Sequence, residues 1–194
     1  MAPIQVLTNN LLYDFSQVPI PTDNVGPQQT AMPRPWNIGE IAKFILFIGP
    51  ISSIFDYSTY AMMWFVFKCN HPGLAAPAEL AWRFPPTSEP DATYAAALFH
   101  TGWFVESLMT QTLIVHVIRT NLIPFIQSRA SWQLTATTAT IMAIGAYLPF
   151  SPLATFLGFV PLPPLYWTLL LLTLVCYVAL TQVVKVWLLK KSWI

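Results

Sequence analysis

The chain has 194 residues, of which 55% are hydrophobic and only 9% charged, with a formal net charge of +1. Soluble domains carry about 25% charged residues, so a water-soluble fold is excluded and a membrane protein is expected. The small net charge, with no basic cluster carrying interleaved aromatics, removes nucleic acid as a partner.

The expected fold class is all-α, a polytopic membrane helix bundle of about five transmembrane helices. Residues 1–21 form the first candidate, apolar but short and interrupted by Pro19 and Pro21. No basic stretch followed by a short apolar core and a small-residue cleavage site opens the chain, so it does not read as a signal peptide. Longer apolar segments follow at residues 41–67, 92–118, 132–150 and 165–184, each close to the roughly 20 residues a span requires. In the first of these Gly49 and Pro50 predict a bend, because an interior proline frees a carbonyl. The run TATTAT makes the segment at 132–150 polar on one side, as suits a helix packed within a bundle.

The intervening stretches 22–40, 68–91, 119–131 and 151–164 are rich in proline, asparagine or charge and read as loops. Basic residues favour alternate connections: Arg34 and Lys43, then Arg119 and Arg129, then Lys185, Lys190 and Lys191. Lys68 and Arg83 in the second loop are set against Glu79, Glu89 and Asp91. The positive-inside rule therefore puts the first loop, third loop and C-terminus in the cytoplasm and the N-terminus outside. Trp36, Trp64, Trp132, Trp167, Trp187 and Trp193 fall near span ends, where indole prefers the interface. Cys69 and Cys176 lack any CxxC or histidine spacing and read as packing residues rather than zinc or disulfide partners.

Asp14, Asp56 and Glu106 lie within apolar segments with no lysine or arginine at similar depth. Each charged carboxylate at the bilayer centre costs roughly 2.5 to 3.5 kcal/mol, so a proton or a bound cation should neutralise them. Asn10 and Asp14 are one helical turn apart, and Gln17 continues the face; hard cations such as magnesium want oxygen ligands of this kind. Pro19 and Pro21 loosen the helix end and free carbonyls that can also face an ion. The same spacing also suits a protonated Asp14 that joins two helices by a hydrogen bond. Glu106, followed by Gln111, admits the same two readings, whereas Asp56 has serines, a threonine and tyrosines around it to satisfy it locally. His100 and His116, about 24 Å apart along a helix, cannot share a metal, and hydrogen bonding is expected of each. No GxxxxGK[ST] loop and no Asp-Lys-Thr-Gly are present, so this chain is not expected to hydrolyse ATP by itself.

Four runs carry a resemblance: NNLLYDFSQVPIP at 9–21, NIGEIAKFILFIGPISSIFDYSTYAMMWFVF at 37–67, FHTGWFVESLMTQTLIVHVIRTNLIPFIQSRAS at 99–131 and MAIGAYLPFSPLA at 142–154. In order, they resemble the C-terminal membrane region of the bacterial magnesium-importing P-type ATPases, with RTNLIPFIQSRA the most specific piece. The resemblance implies the family's sixth to tenth transmembrane helices, and a cytoplasmic loop after the sixth, as the basic residues do independently. It divides the chain into an ion-site helix at 1–21, a cytoplasmic loop at 22–40 and a four-helix support region at 41–194. It implies metal-ligand roles for Asn10 and Asp14, and a site-lining role for Glu106; Asp56 receives none. Mg2+ is then the transported ion, and ATP acts only through actuator, nucleotide-binding and phosphorylation domains that the resemblance does not reach. The implied setting is the bacterial inner membrane, multi-pass, with a cytoplasmic C-terminus. Implied partners are membrane lipid, magnesium or another divalent cation, and the N-terminal pump domains if these are encoded separately. The alternative is a free-standing accessory or structural membrane protein with no transport of its own.

Overall fold

The computed structural model describes residues 1–24, 37–71, 73–85, 93–120, 124 and 128–191. Among the described residues there are six α-helices: α1 (Pro3–Gln17), α2 (Ile38–Ala61), α3 (Tyr94–Ile118), α4 (Trp132–Tyr147), the short α5 (Ala154–Leu157) and α6 (Pro164–Lys190). Among the described residues there is no β-strand, and the fold is an all-α membrane helical region. α2 is prolonged by a π-helical turn at Met62–Val66, and α2 so extended and α6 are long and apolar enough to cross a membrane. At 15 residues α1 is about 22 Å long, short of a hydrocarbon core of about 30 Å. Arg34, Trp36, Glu89, Asp91, Ala92 and Trp193 lie outside the described residues.

Local chemistry sets the helix ends. Asn37 caps α2, its Oδ1 accepting from the Gly39 N–H at 3.0 Å while its amide donates to Glu40 Oε1 at 3.0 Å, which starts the helix three residues before residue 41. Thr93 and Ser131 cap α3 and α4 in the same way, accepting from the Ala96 and Leu134 amides. Pro3 and Pro164 occupy the first turns of α1 and α6, where a missing N–H costs nothing. α2 continues through Pro50. The short α5, inside the stretch expected as loop, stops at Gly158 in the left-handed region (φ 76°), with the Phe159 amide returning to the Ala154 carbonyl at 2.8 Å.

α3 is the axis of the bundle: α1, α2, α4 and α6 all pack on it, and it is buried on nearly every side. α1 also meets α4, and α2 meets α6. Two glycines permit the closest approaches, as small residues do between membrane helices. A Cβ on Gly102 would fall 2.8 Å from the Met63 side chain, and one on Gly145 would collide with Leu108. Gly102 also offers its carbonyl to the buried Tyr166 hydroxyl at 2.6 Å. Around these contacts Phe104, Val105, Leu108, Phe159, Val160 and Leu170 form the core.

Bonds between chain segments define two ends of the bundle. At one end Gln5 of α1 donates to the Leu157 carbonyl at 3.0 Å, and Arg83 donates to the carbonyls of Phe159 and Thr155 at 2.8 and 3.3 Å. At the other, Asp23 pairs with Arg119 at 2.6 Å and accepts from the Ser131 amide at 2.7 Å. There too Lys185 of α6 donates to the carbonyls of Val117 and Thr120 at 2.8 and 3.0 Å. α2 and α6 run antiparallel, Phe47 meeting Trp187 at one level and Phe55 meeting Tyr177 at another.

Candidate cation site

α1 turns a polar face inward. Gln5, Asn9 and Ser16 are its buried residues, while Leu7, Leu11, Phe15 and Val18 are exposed, the reverse of a helix that belongs to a soluble core. Asn10 and Asp14 lie on the exposed side, one turn apart as the sequence predicted, and are framed by those apolar residues. The neighbouring Asn9 instead points inward, and its carbonyl oxygen is buried without a hydrogen-bond partner. Tyr13, next to Asp14, interacts with Gln17 one turn on.

Glu106 lies elsewhere. It is wholly buried in α3, and neither carboxyl oxygen has a hydrogen-bond partner. Gln111 does not serve it, because its amide donates to Ser107 Oγ at 2.9 Å. Among the described residues the carboxyl that faces Glu106 is that of Asp56 of α2. This follows from register: Tyr60 of α2 packs on Phe99 and Trp103 of α3 with ring centroids 4.4 and 5.9 Å apart, and one turn back on α2 lies one turn onward on the antiparallel α3. Two of the serines near Asp56 bond elsewhere, Ser52 with the Tyr177 hydroxyl at 3.1 Å and Ser58 to the Phe55 carbonyl at 2.8 Å.

Thus the structure brings Asn10 and Asp14 to one exposed face, and brings Glu106 to Asp56. Among the described residues no group of three or more His, Cys, Asp or Glu side chains converges as a metal cage. A cation at Asn10 and Asp14 would need further oxygens from water or from groups packed on the exposed side of α1, in keeping with a hard divalent ion that retains water.

The remaining candidate polar residues serve structure. His116 pairs with Thr138 Oγ1 of α4 at 2.9 Å, a buried interhelical bond. His100 lines a small aromatic cavity with Tyr60, Trp64 and Phe99. Burial pushes the Cys69 thiol up to about 11, which leaves little thiolate and suits a packing residue. Lys185 is 3% exposed and caps the end of α3, so it is a buried helix cap rather than a solvated flank. Sequence reasoning passed over Asp23, because a lone aspartate in a proline-rich connector carries no periodic signal.

The comparisons bear on all five long helices at once. The family described as cation transporting ATPase, C-terminus, matches residues 1–187. A magnesium-transporting ATPase, P-type 1, of Salmonella typhimurium strain LT2 is 46% identical over 185 residues. The protein of that name from Escherichia coli K12 is 45% identical over 185 residues, and a further one from Salmonella typhimurium LT2 is 43% identical over 185 residues. Each alignment covers 95% of this chain and 18% of the relative, so the chain spans about a fifth of the length of these proteins. With the family match running from the first residue to within the last turn of α6, the chain belongs to the cation transporting ATPase family, as a C-terminal membrane region.

Proposed function

We propose that this chain is the C-terminal transmembrane portion of a magnesium-importing P-type pump of the bacterial inner membrane, with Asn10 and Asp14 supplying oxygen ligands to the transported Mg2+. Nucleotide chemistry would come from the parts of such proteins that this chain does not match. The observation that carries this reading is the identity of 45–46% across nearly the whole chain to proteins named magnesium-transporting ATPases, which speaks against a free-standing accessory protein. The exposed face of α1 adds a physical reason: an amide oxygen and a carboxylate one turn apart, ringed by apolar side chains, form half of an ion site that other membrane helices would close. Glu106 belongs to the same membrane region as a lining acid. Residues 1–21 then act as the ion-site helix, 22–40 as a cytoplasmic loop and 41–194 as a support region.

Asp14→Asn tests the reading. It keeps the shape and one oxygen but removes the charge that attracts a hard cation. In cells depending on a pump that carries this region, magnesium uptake should fall at least about tenfold, since a tenfold change corresponds to only about 1.4 kcal/mol. Membrane-inserted protein, quantified in parallel, should be undiminished because a charged carboxylate has been removed from the membrane segment. Near-normal uptake at equal protein level would show that Asp14 is not a ligand.

A further inference from the structure

We propose that the aromatic cavity between the end of α2 and the start of α3 binds the primary ammonium of a zwitterionic phospholipid headgroup, that of phosphatidylethanolamine. The cavity has a volume of about 280 Å³ and is walled by Tyr60, Trp64 and Phe99, with Cys69, Asn70 and Thr93 also lining it. It lies where the apolar run of α2 gives way to Lys68 and Asn70 and where Thr93 caps α3, the level at which tryptophan and tyrosine meet the membrane–water boundary. Local backbone chemistry builds it. α2 widens into the π-helical turn Met62–Val66, Lys68 takes a left-handed φ of 55°, and the Cys69 amide returns to the Met63 carbonyl at 3.1 Å. The reversal carries Cys69 and Asn70 to the cavity. A left-handed residue past a helix end is usually glycine rather than lysine, and π-turns gather at functional sites.

The ring geometry and the lining select the ligand. Tyr60 and Trp64, one turn apart on α2, lie 6.5 Å apart and 23° from parallel, while Phe99 and Trp103 of α3 stand at 77° and 75° to Tyr60. Rings set at such angles enclose a space on more than one side, as in the aromatic cages that take ammonium groups. Tyr60 and Trp64 remain 43% and 42% exposed, so the cage is reachable from outside the bundle. Among the described residues that line it there is no lysine, arginine, aspartate or glutamate. A phosphate therefore finds no fixed cation in the cavity, and a hard metal ion finds no carboxylate. An ammonium needs neither, because the aromatic faces attract it and the Asn70 side-chain oxygen and Tyr60 hydroxyl can accept its N–H groups. What adjoins the cavity favours a lipid as the source of that ammonium. Ile54, Tyr57 and Phe65 expose large apolar side chains along the same helix, where acyl chains would lie, and the exposed Lys68 stands at the same helix end as a partner for the lipid phosphate.

Binding of this kind does not depend on the transport reading of α1. It is measured on the full chain in a non-ionic detergent by native mass spectrometry, titrating dioleoyl phosphatidylethanolamine and, separately, dioleoyl phosphatidylglycerol and N-acetylated dioleoyl phosphatidylethanolamine, which lacks the ammonium. The first should bind at least about threefold more tightly than either of the others. Trp64→Leu should weaken phosphatidylethanolamine binding about three- to thirtyfold, the range that one aromatic face gives a cation, and leave phosphatidylglycerol within about twofold. Trp64→Phe keeps a face and should retain most of the affinity. Trp132→Leu, which removes an exposed tryptophan at the opposite end of the bundle, should retain all of it. Circular dichroism checks that each variant keeps its helix content, and should Trp64→Leu misfold, the comparison of the three lipids on the unaltered chain carries the test. Equal affinity for the three lipids, or a loss in Trp132→Leu as large as that in Trp64→Leu, overturns the site. Ethanolamine in solution should not displace the lipid; displacement by millimolar ethanolamine would show that the cavity takes a soluble amine and overturn the lipid assignment. None of these outcomes touches the uptake result for Asp14.

Discussion

Asp23 shows how much one side chain outside the apolar segments can organise. It follows the 3-10 turn that ends the first segment, and its two oxygens join that turn to two other elements, through the Arg119 guanidinium at the end of α3 and the Ser131 amide that precedes α4. Arg119 uses a second nitrogen on Ser128 Oγ at 3.0 Å. Burial alone would raise the Asp23 carboxyl, but the Ser131 amide and then the bond and charge of Arg119 outweigh it and hold the group below the usual carboxylate range. A depressed carboxyl contributes stability that is complete above its unfolded value of about 3.9 and is lost as pH falls through the folded value. Breaking this buried pair by Asp23→Ala should cost about 3–5 kcal/mol, because the guanidinium loses its charge partner and keeps only the Ser128 hydroxyl. The double variant Asp23→Leu with Arg119→Met should recover much of that. Unfolding of the reconstituted chain by added denaturing detergent measures both. The penalty of the single variant should shrink below about pH 4, where the unfolded chain takes up the proton first and the folded carboxyl follows only at lower pH. A penalty constant down to the lowest pH would show that the carboxylate charge is not what binds these elements.

Among the helices, α1 differs from the others in what attaches it. Its buried residues are Gln5, Asn9 and Ser16, with no large apolar side chain fully inside, whereas α6 buries Tyr166, Leu170, Leu174, Tyr177 and Leu188. Burial of each such apolar residue contributes about 1.5–3 kcal/mol where water is the alternative; in a membrane, packing replaces that term, and α1 is poorer by either measure. Amide hydrogen exchange of the chain in nanodiscs should therefore run faster across residues 10–17 than across residues 175–184. Equal protection of the two stretches would mean that α1 is fixed by something other than its described contacts. These elements were legible in the sequence because apolar runs near span length are long-range averages that single residues barely disturb. Their ends were less so. α2 begins earlier than hydropathy suggested because Asn37 and Glu40 form a local cap, and α6 runs on past residue 184 because Lys185 finds two buried carbonyls. The same contrast holds at the site. Asn10 and Asp14 share a face by local helical period, which spacing reveals. The meeting of Asp56 with Glu106 depends on the antiparallel register of two helices 50 residues apart in sequence, which no local pattern encodes.

For the molecule as a whole, the helices alternate in direction, so each connection belongs to one of two ends. The bonds from Asp23 to Arg119 and Ser131, and from Lys185 to Val117 and Thr120, gather the end of α1, the end of α3, the start of α4 and the end of α6 together. The contact of Phe47 with Trp187 adds the start of α2. This end carries Lys43, Arg119, Arg129, Lys185, Lys190 and Lys191. The opposite end holds Lys68 and Arg83, and Arg83 is tied to the carbonyls of Thr155 and Phe159. Arg119 is committed internally to Asp23 and Lys185 to the cap of α3, but the positive-inside bias counts lysine and arginine near span ends rather than net charge. By that rule the richer end is expected to face the cytoplasm. A green fluorescent protein fused after Lys191 should fluoresce, and alkaline phosphatase fused at the same point should be inactive, because the first folds in the cytoplasm and the second needs the oxidising periplasm for its disulfides. Replacing Lys190 and Lys191 together by glutamine leaves Lys185 capping α3 and Arg119 paired, so the topology should persist with both reporters unchanged. An active phosphatase after Lys191 in the unmodified chain would invert the assignment and place the connector after α1 outside the cell.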